Sequence, residues 1–92
     1  MSRPATLPSP WIEFASAVER VWLRENSGLR SPGKVFLAAK ELLCFPVTLR
    51  RWANGSQTPS VWAASWIRSR FAIYGIALPA SLKPHQDTAN SL

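Results

Sequence analysis

Apolar residues recur at spacings of three and four along four stretches of the chain, and polar residues with Pro or Gly separate those stretches. Such spacing places apolar side chains on one face of an α-helix. The pattern therefore predicts an all-α fold, a compact bundle of four to five helices. The four predicted helices cover about residues 10–26, 32–44, 46–54 and 60–74.

The apolar face of each predicted helix is expected to form the core. Its members are Trp11, Phe14, Ala15, Val18, Val21, Trp22, Val35, Phe36, Ala39, Leu42, Leu43, Leu49, Trp52, Trp62, Ala63, Trp66, Ile67, Phe71 and Tyr74. Buried aromatic rings remove large areas from water, so a few of them anchor a small core. The fourth helix carries more aromatic surface than one small core needs, so part of that surface is also a candidate contact with a second copy.

Helix boundaries are marked by residues that start or stop helices. Ser9 before Pro10 predicts an N-cap followed by proline at the first helical position, and Pro46 predicts the start of the third helix. Ser60 is the expected cap of the fourth helix. Gly55 and Gly75 are expected to end the third and fourth helices, because glycine adopts the left-handed conformation at little cost.

The chain of 92 residues is long enough for one domain. The proline-rich start predicts a flexible N-terminal arm over residues 1–9, and the polar end predicts a flexible C-terminal tail over residues 80–92. Residues 10–79 remain for the folded domain.

The charge of the chain favours a polyanionic partner. Eleven Lys and Arg oppose five Asp and Glu, which gives a formal net charge of +6. No acidic residue lies between Leu42 and Gln86. The basic residues in that stretch are Arg50, Arg51, Arg68, Arg70 and Lys83. We therefore expect an unopposed positive field over the second half of the chain.

The residues that carry catalysis or bind metals are few and scattered. Cys44 lies in an apolar stretch, which predicts a small core residue. It is the only cysteine of the sequence and has no partner for an internal disulfide, which fits a reducing cytoplasm. His85 falls in the predicted tail without other ligands nearby, so no metal site is expected. No cofactor, catalytic residue or membrane span is predicted, and the start of the chain lacks the apolar centre of a secretion signal.

The stretch from Ala38 to Pro59 contains two predicted short helices joined by a tight corner. It resembles the helix-turn-helix of the lambda-repressor/Cro-like family, also called the XRE family. The residues that carry the resemblance are Ala39, Leu42, Thr48, Leu49, Arg51, Trp52, Asn54, Gly55 and Pro59. The resemblance covers about a quarter of the chain closely, and it implies a helical domain that places its third helix in the DNA major groove.

The chain departs from the family pattern at the corner and at the start of the third helix. The family usually has Gly, an aliphatic residue and Ser at the corner, where this chain has Leu43, Cys44 and Phe45. Where relatives often carry an amide that reaches base edges, this chain has Pro46 and Val47. Neither donates to a base, although Val47 is able to touch a thymine methyl group.

Helical spacing predicts that Leu49 and Trp52 face inward, which leaves an outer face on the third helix. Under the resemblance, that face reads DNA bases through Val47, Arg50, Arg51 and Asn54. The candidate phosphate contacts are Arg30 and Lys34 at the entrance to the second helix, with Gln57 and Thr58 after the third.

These observations predict a sequence-specific regulator that binds double-stranded DNA, a repressor of bacterial, phage or mobile-element type. It would act as a homodimer on a two-fold operator in the cytoplasm, associated with the nucleoid when bound. Two alternatives stay open. One is a helix-turn-helix scaffold that contacts a protein partner, such as an antiactivator, antitoxin or recruitment partner. The other is nonspecific nucleic-acid binding through charge and aromatic residues.

Overall fold

The computed structural model describes residues 7–83, and within this range the chain folds into four α-helices without a strand. The helices are α1 (Ser9–Glu25), α2 (Lys34–Glu41), α3 (Pro46–Asn54) and α4 (Val61–Tyr74). A short 3-10 helix, Ala80–Leu82, follows them. The predicted all-α bundle is confirmed.

The ends of α3 and α4 follow the sequence signals. Gly55 and Gly75 have φ values of 84° and 71°, and both adopt the left-handed conformation that closes a helix. The Ser60 hydroxyl accepts a hydrogen bond from the Ala63 backbone N–H at 3.1 Å, so Ser60 caps α4 as predicted. Pro46 is the first residue of α3.

The predicted starts of the first and second helices are wrong in detail. Helix α1 already includes Ser9, whose hydroxyl donates to the Glu13 carboxylate at 3.0 Å instead of capping the backbone. Helix α2 begins at Lys34 and not at Pro32, because Gly33 has a φ of 115°, outside the helical region. The Ser31 hydroxyl accepts from the Gly33 backbone N–H, which fixes the turn before the helix.

Helix α2 ends at Glu41, three residues before the predicted end. Leu43 has a φ of 60°. Its N–H donates to the Lys40 carbonyl at 3.1 Å, and the Cys44 N–H donates to the Ala39 carbonyl at 2.9 Å. This pair of hydrogen bonds is a Schellman motif, which closes a helix through a left-handed residue. Leucine therefore occupies the conformation that usually belongs to glycine.

The core lies between α1, α2 and α4 around a group of aromatic rings. The Phe14 and Phe71 rings stack with centroids 4.4 Å apart and planes within 3°. Trp11 meets the Phe71 ring edge-on at 5.5 Å, and Tyr74 meets the Phe14 ring edge-on at 5.4 Å. These geometries are favourable for aromatic pairs.

Three expected core residues lie at the surface. Phe36, Leu43 and Trp62 expose 49%, 63% and 63% of their area. Leu37, which the helical spacing did not single out, is buried in place of Phe36 because α2 packs through Leu37, Ala38 and Ala39. Leu43 is exposed because its left-handed backbone belongs to the corner and not to the helix.

The folded domain extends beyond both predicted boundaries. Leu7 lies in the predicted flexible arm and Leu82 in the predicted flexible tail, yet both side chains are buried in the core cluster. The arm and tail predictions are therefore wrong at these residues. Residues 1–6 of the predicted arm and residues 84–92 of the predicted tail, with His85, lie outside the described range.

Candidate nucleic-acid interface

Helix α3 separates a buried side from an exposed side as its spacing predicts. Leu49 is only 1% exposed and belongs to the core. Val47, Arg50, Arg51 and Asn54 are all exposed. The four candidate base-reading residues therefore share one helix and face away from the core, while their role stays a prediction.

Trp52 holds α3 against the rest of the domain. Its side chain is half-buried and packs against the core cluster, so the predicted inward orientation is confirmed only in part. The indole Nε1 atom is buried, and no residue of the described range accepts its hydrogen bond. An unpaired buried donor weakens this contact relative to a fully satisfied one.

Asn54 already uses part of its carboxamide within the protein. Its Oδ1 atom accepts a hydrogen bond from the Ser56 backbone N–H at 2.9 Å. Bidentate reading of adenine needs both the oxygen and the nitrogen of an amide. The bond to Ser56 uses one of the two lone pairs of Oδ1 and holds the carboxamide against the loop, so Nδ2 is the atom of Asn54 that stays free to donate to a base.

The loop after α3 folds back onto the end of that helix. The Gln57 backbone N–H donates to the Arg51 carbonyl at 3.2 Å, and the Ser56 hydroxyl donates to the same carbonyl at 3.5 Å. Gln57 and Thr58 are both exposed. These two candidate phosphate contacts are thus positioned beside the C-terminal end of the α3 outer face.

The other two candidate phosphate contacts lie at a different place in the fold, before and at the start of α2. Arg30 is exposed, whereas Lys34 is half-buried and its Nζ donates to the Ser16 hydroxyl of α1 at 3.4 Å. The Ser31 hydroxyl donates to the Glu19 carboxylate at 2.6 Å. Glu19 therefore offsets part of the positive charge at this loop.

An ion pair between α2 and α4 reduces the positive field that the sequence predicts. The Arg70 guanidinium donates to the Glu41 carboxylate, and both side chains are about three-quarters buried or more, with 25% and 20% exposure. The guanidinium also lies 5.2 Å from the centre of the Trp66 ring. The expectation that every basic residue after Leu42 is unopposed is wrong for Arg70.

Trp66 completes this connection, because its Nε1 donates to the Glu41 carbonyl at 3.1 Å. Burial raises the pKa of the nearby Tyr74 hydroxyl, and the Glu41 carboxylate raises it further, while Arg70 lowers it. The sequence does not predict this group of Glu41, Trp66 and Arg70. Glu41 and Arg70 are 29 residues apart, and no local pattern joins them.

The corner before α3 is apolar and exposed. Leu43, Phe45 and Val47 expose 63%, 75% and 51% of their areas. Cys44 is half-buried between them and packs against the core, which agrees with its predicted packing role. Burial raises the pKa of the Cys44 thiol to about 11, so the thiol stays protonated and unreactive at neutral pH.

Other kinds of site find no support in residues 7–83. This range holds no group of three or more His, Cys, Asp or Glu side chains able to share a metal ion. Nor does it contain a helix with the length and apolar character needed to cross a membrane.

Comparison of the chain with protein-family models, with curated proteins and with solved structures finds no match.

Proposed function

We propose that this chain is a sequence-specific regulator that binds double-stranded DNA, of the repressor type, and that it inserts α3 into the major groove. The observation that carries the proposal is the outer face of α3. It presents two guanidinium groups, Arg50 and Arg51, to solvent while Leu49 holds the opposite side in the core. Arginine offers a planar fork that matches the two acceptors of guanine.

The residues around the arginines fit the same use. Val47, at the start of the face, is suited to a thymine methyl group, and the Asn54 Nδ2 donor is suited to a base acceptor. Gln57 and Thr58 continue the face into the loop, where polar side chains bind phosphates. Arg30 and Lys34 are assigned a secondary phosphate role, because Glu19 and Ser16 already contact that region.

The corner between α2 and α3 supports the proposal through its length and conformation. Four residues, 42–45, join two short helices, and one of them is left-handed. A helix-turn-helix motif joins its two helices by a turn of similar length that often contains glycine. Together with the resemblance to the lambda-repressor/Cro-like family, this favours a non-enzymatic, cofactor-independent DNA reader that acts as a homodimer on a two-fold operator.

A selection and a titration test the proposal. The full chain is used to enrich a pool of random duplexes, and its affinity for the enriched duplex and for a scrambled duplex is measured by fluorescence anisotropy. We expect the enriched duplex to be preferred at ~150 mM salt, where counterion release has already weakened nonspecific complexes. Arg24→Ala, an exposed charge at the end of α1, is the matched control and should bind like the unaltered protein.

Equal, weak affinity for every duplex would contradict the proposal and indicate nonspecific binding through charge. No affinity for any duplex would contradict both the sequence-specific and the nonspecific DNA-binding hypotheses.

The exposed apolar corner favours a second candidate function, the binding of a protein partner. Leu43, Phe45 and Val47 form an uncharged group at the tip of the motif, where a DNA reader gains little from Phe45. Phe45→Ser distinguishes the two functions. It should leave the affinity for the enriched duplex unchanged within about twofold if α3 reads DNA without Phe45. If the folded, unaltered protein bound no duplex, the result would favour the protein-binding function.

A further inference from the structure

Helix α4 carries large apolar side chains on both its core side and its solvent side, with Arg68 and Arg70 on the flanks between them, although only the core side is fully buried. Ile67 and Phe71 are fully buried on the core side. A second set of residues is exposed and spans one continuous arc of about 120° at 100° per residue. We call this set the α4 outer face, and its members are Val61, Trp62, Ser65, Ser69, Ala72 and Ile73. A large apolar face on a helix is normally buried against another surface.

The α4 outer face carries no charge in a protein whose formal net charge is +6. Its largest members are also its most exposed, with 88% for Val61, 63% for Trp62 and 62% for Ile73. Two arginines flank this face: Arg68 lies beside Val61 and is half-buried, and Arg70, on the other flank, is held by Glu41 and lies over the Trp66 ring. Nothing ionic on the face itself therefore opposes the approach of another basic surface.

The residues outside the described range are poor candidates to cover this face. Residues 1–6 and 84–92 contain only two large apolar residues, Met1 and Leu92. A polyanion is also a poor occupant, because the face offers it neither a cation nor a donor fork. The face instead suits an uncharged apolar surface of similar length.

We propose that the α4 outer face binds the same face of a second copy of this chain, with the two α4 helices antiparallel. A two-fold axis at the level of Ile67 pairs the face with itself, because its members lie at equal distances before and after that position. The axis places Val61 against Ile73 of the other copy, Trp62 against Ala72, and Ser65 against Ser69.

Each of these pairs is complementary in size. The Trp62 indole meets the small Ala72, so the ring has room to lie against the facing helix. The two serines meet near the axis, where small side chains let the helix backbones approach. Parallel helices would instead place Trp62 against Trp62 and leave Ala72 against Ala72, which fills the space less evenly.

The dimer extends the proposed function, since a two-fold operator needs two copies of α3, but its surface is inferred from α4 alone. An interface of one helix per copy is small, so we expect association that depends on concentration across ~1 µM to ~1 mM. Sedimentation equilibrium of the full chain measures it. The unaltered chain should shift from monomer to dimer over this range.

Two variants test the face. Ser69→Arg places a cation near the axis of an already basic protein, and Trp62→Ala removes the largest contact. Each should weaken dimerisation by about tenfold or more. Ser27→Arg, an exposed serine after α1, is the charge-matched control and should dimerise like the unaltered chain. Circular dichroism melting of dilute samples checks that each monomer is folded.

A monomer at every concentration would overturn the proposal. So would a dimer that Ser69→Arg and Trp62→Ala leave unchanged.

Cysteine cross-linking tests the antiparallel direction. Ser65→Cys and Ser69→Cys are made separately in a Cys44→Ala background and then mixed. An antiparallel pair should form mostly the mixed disulfide, because Ser65 faces Ser69 across the axis. Homodimers of Ser65→Cys alone in greater yield would overturn the antiparallel arrangement.

These results are separable from those on DNA. Arg50→Ala should leave dimerisation unchanged, and Ser69→Arg should leave the affinity for a duplex with a single half-site unchanged within about twofold. If the chain binds the half-site duplex but stays monomeric, this inference alone is refuted. If the chain dimerises but binds no duplex specifically, the DNA proposal alone is refuted.

Discussion

Helices α3 and α4 each turn one side to the core and one side to solvent, but the two solvent sides are chemically different. The α3 outer face carries Arg50, Arg51 and Asn54. The α4 outer face carries Trp62, Ile73 and small residues without any charge. Exposure alone therefore does not identify a binding surface. The charges on the exposed arc indicate which partner it suits, a polyanion for α3 and a neutral protein surface for α4.

The buried sides differ as well. Helix α4 is anchored by Ile67 and Phe71, which lie in the aromatic core and are fully buried. Helix α3 depends on one fully buried residue, Leu49, and on the half-buried Trp52. We infer that α4 supports the core and has an uncharged solvent side. Helix α3 is attached to the core by less apolar surface, and its charged side faces solvent.

The largest expected effect is a difference in the free energy of unfolding between substitutions on the two sides of α4. Phe71→Ala removes a ring that stacks on Phe14 and contacts Trp11, so it should lower the free energy of unfolding by about 4 kcal/mol. Trp62→Ala, on the opposite side, loses only a stacking contact with the Trp66 ring at 6.1 Å, so it should lower the unfolding free energy of the dilute monomer by about 1 kcal/mol. Urea denaturation measures both. Similar losses for the two variants would show that the exposed side of α4 is part of the core.

A smaller effect is expected on DNA discrimination, which arginine substitutions in α3 should reduce and one in α4 should not. Arg50→Ala and Arg51→Ala should each reduce discrimination between the enriched and scrambled duplexes by ~1–3 kcal/mol, with no change in melting temperature. Arg68→Ala, a basic residue of α4, should leave discrimination unchanged and serves as the matched control. Anisotropy titrations at one salt concentration provide the comparison. An equal loss from all three variants would mean that total charge, and not the α3 face, determines binding.

The smallest effect concerns the corner that leads into α3. Leu43→Gly relieves a side chain from a φ of 60°, where the Cβ atom is crowded, and this exposed leucine contributes little packing. The substitution should raise the free energy of unfolding by about 1 kcal/mol. Urea midpoints of the two proteins test it. A loss of stability would show that Leu43 packs more than its exposure suggests.

Local signals predicted the parts of the fold that neighbouring residues determine. Gly55, Gly75 and Ser60 act on their own helix ends, and each is found where its chemistry requires. The exposure of Arg50 and Arg51 follows from helical spacing, so the candidate face was also predictable.

The remaining features depend on contacts between distant residues or on competition between local preferences. The Glu41 and Arg70 pair joins two helices that only the tertiary fold brings together. Leu43 has no intrinsic preference for a left-handed backbone, so the short corner must impose it. Phe36 and Leu37 are equally apolar to a periodic pattern, and the packing of α2 on α1 decides which one is buried.

The burial of Leu7 and Leu82 has a practical consequence for anyone who shortens this protein. A fragment cut at the helix bounds, from Ser9 to Tyr74, would keep the four α-helices of residues 7–83 and still lose two residues that fill the interior. Their removal would uncover neighbouring side chains to water. Expression of a minimal domain should therefore retain residues 7–82, and affinity tags belong outside those limits.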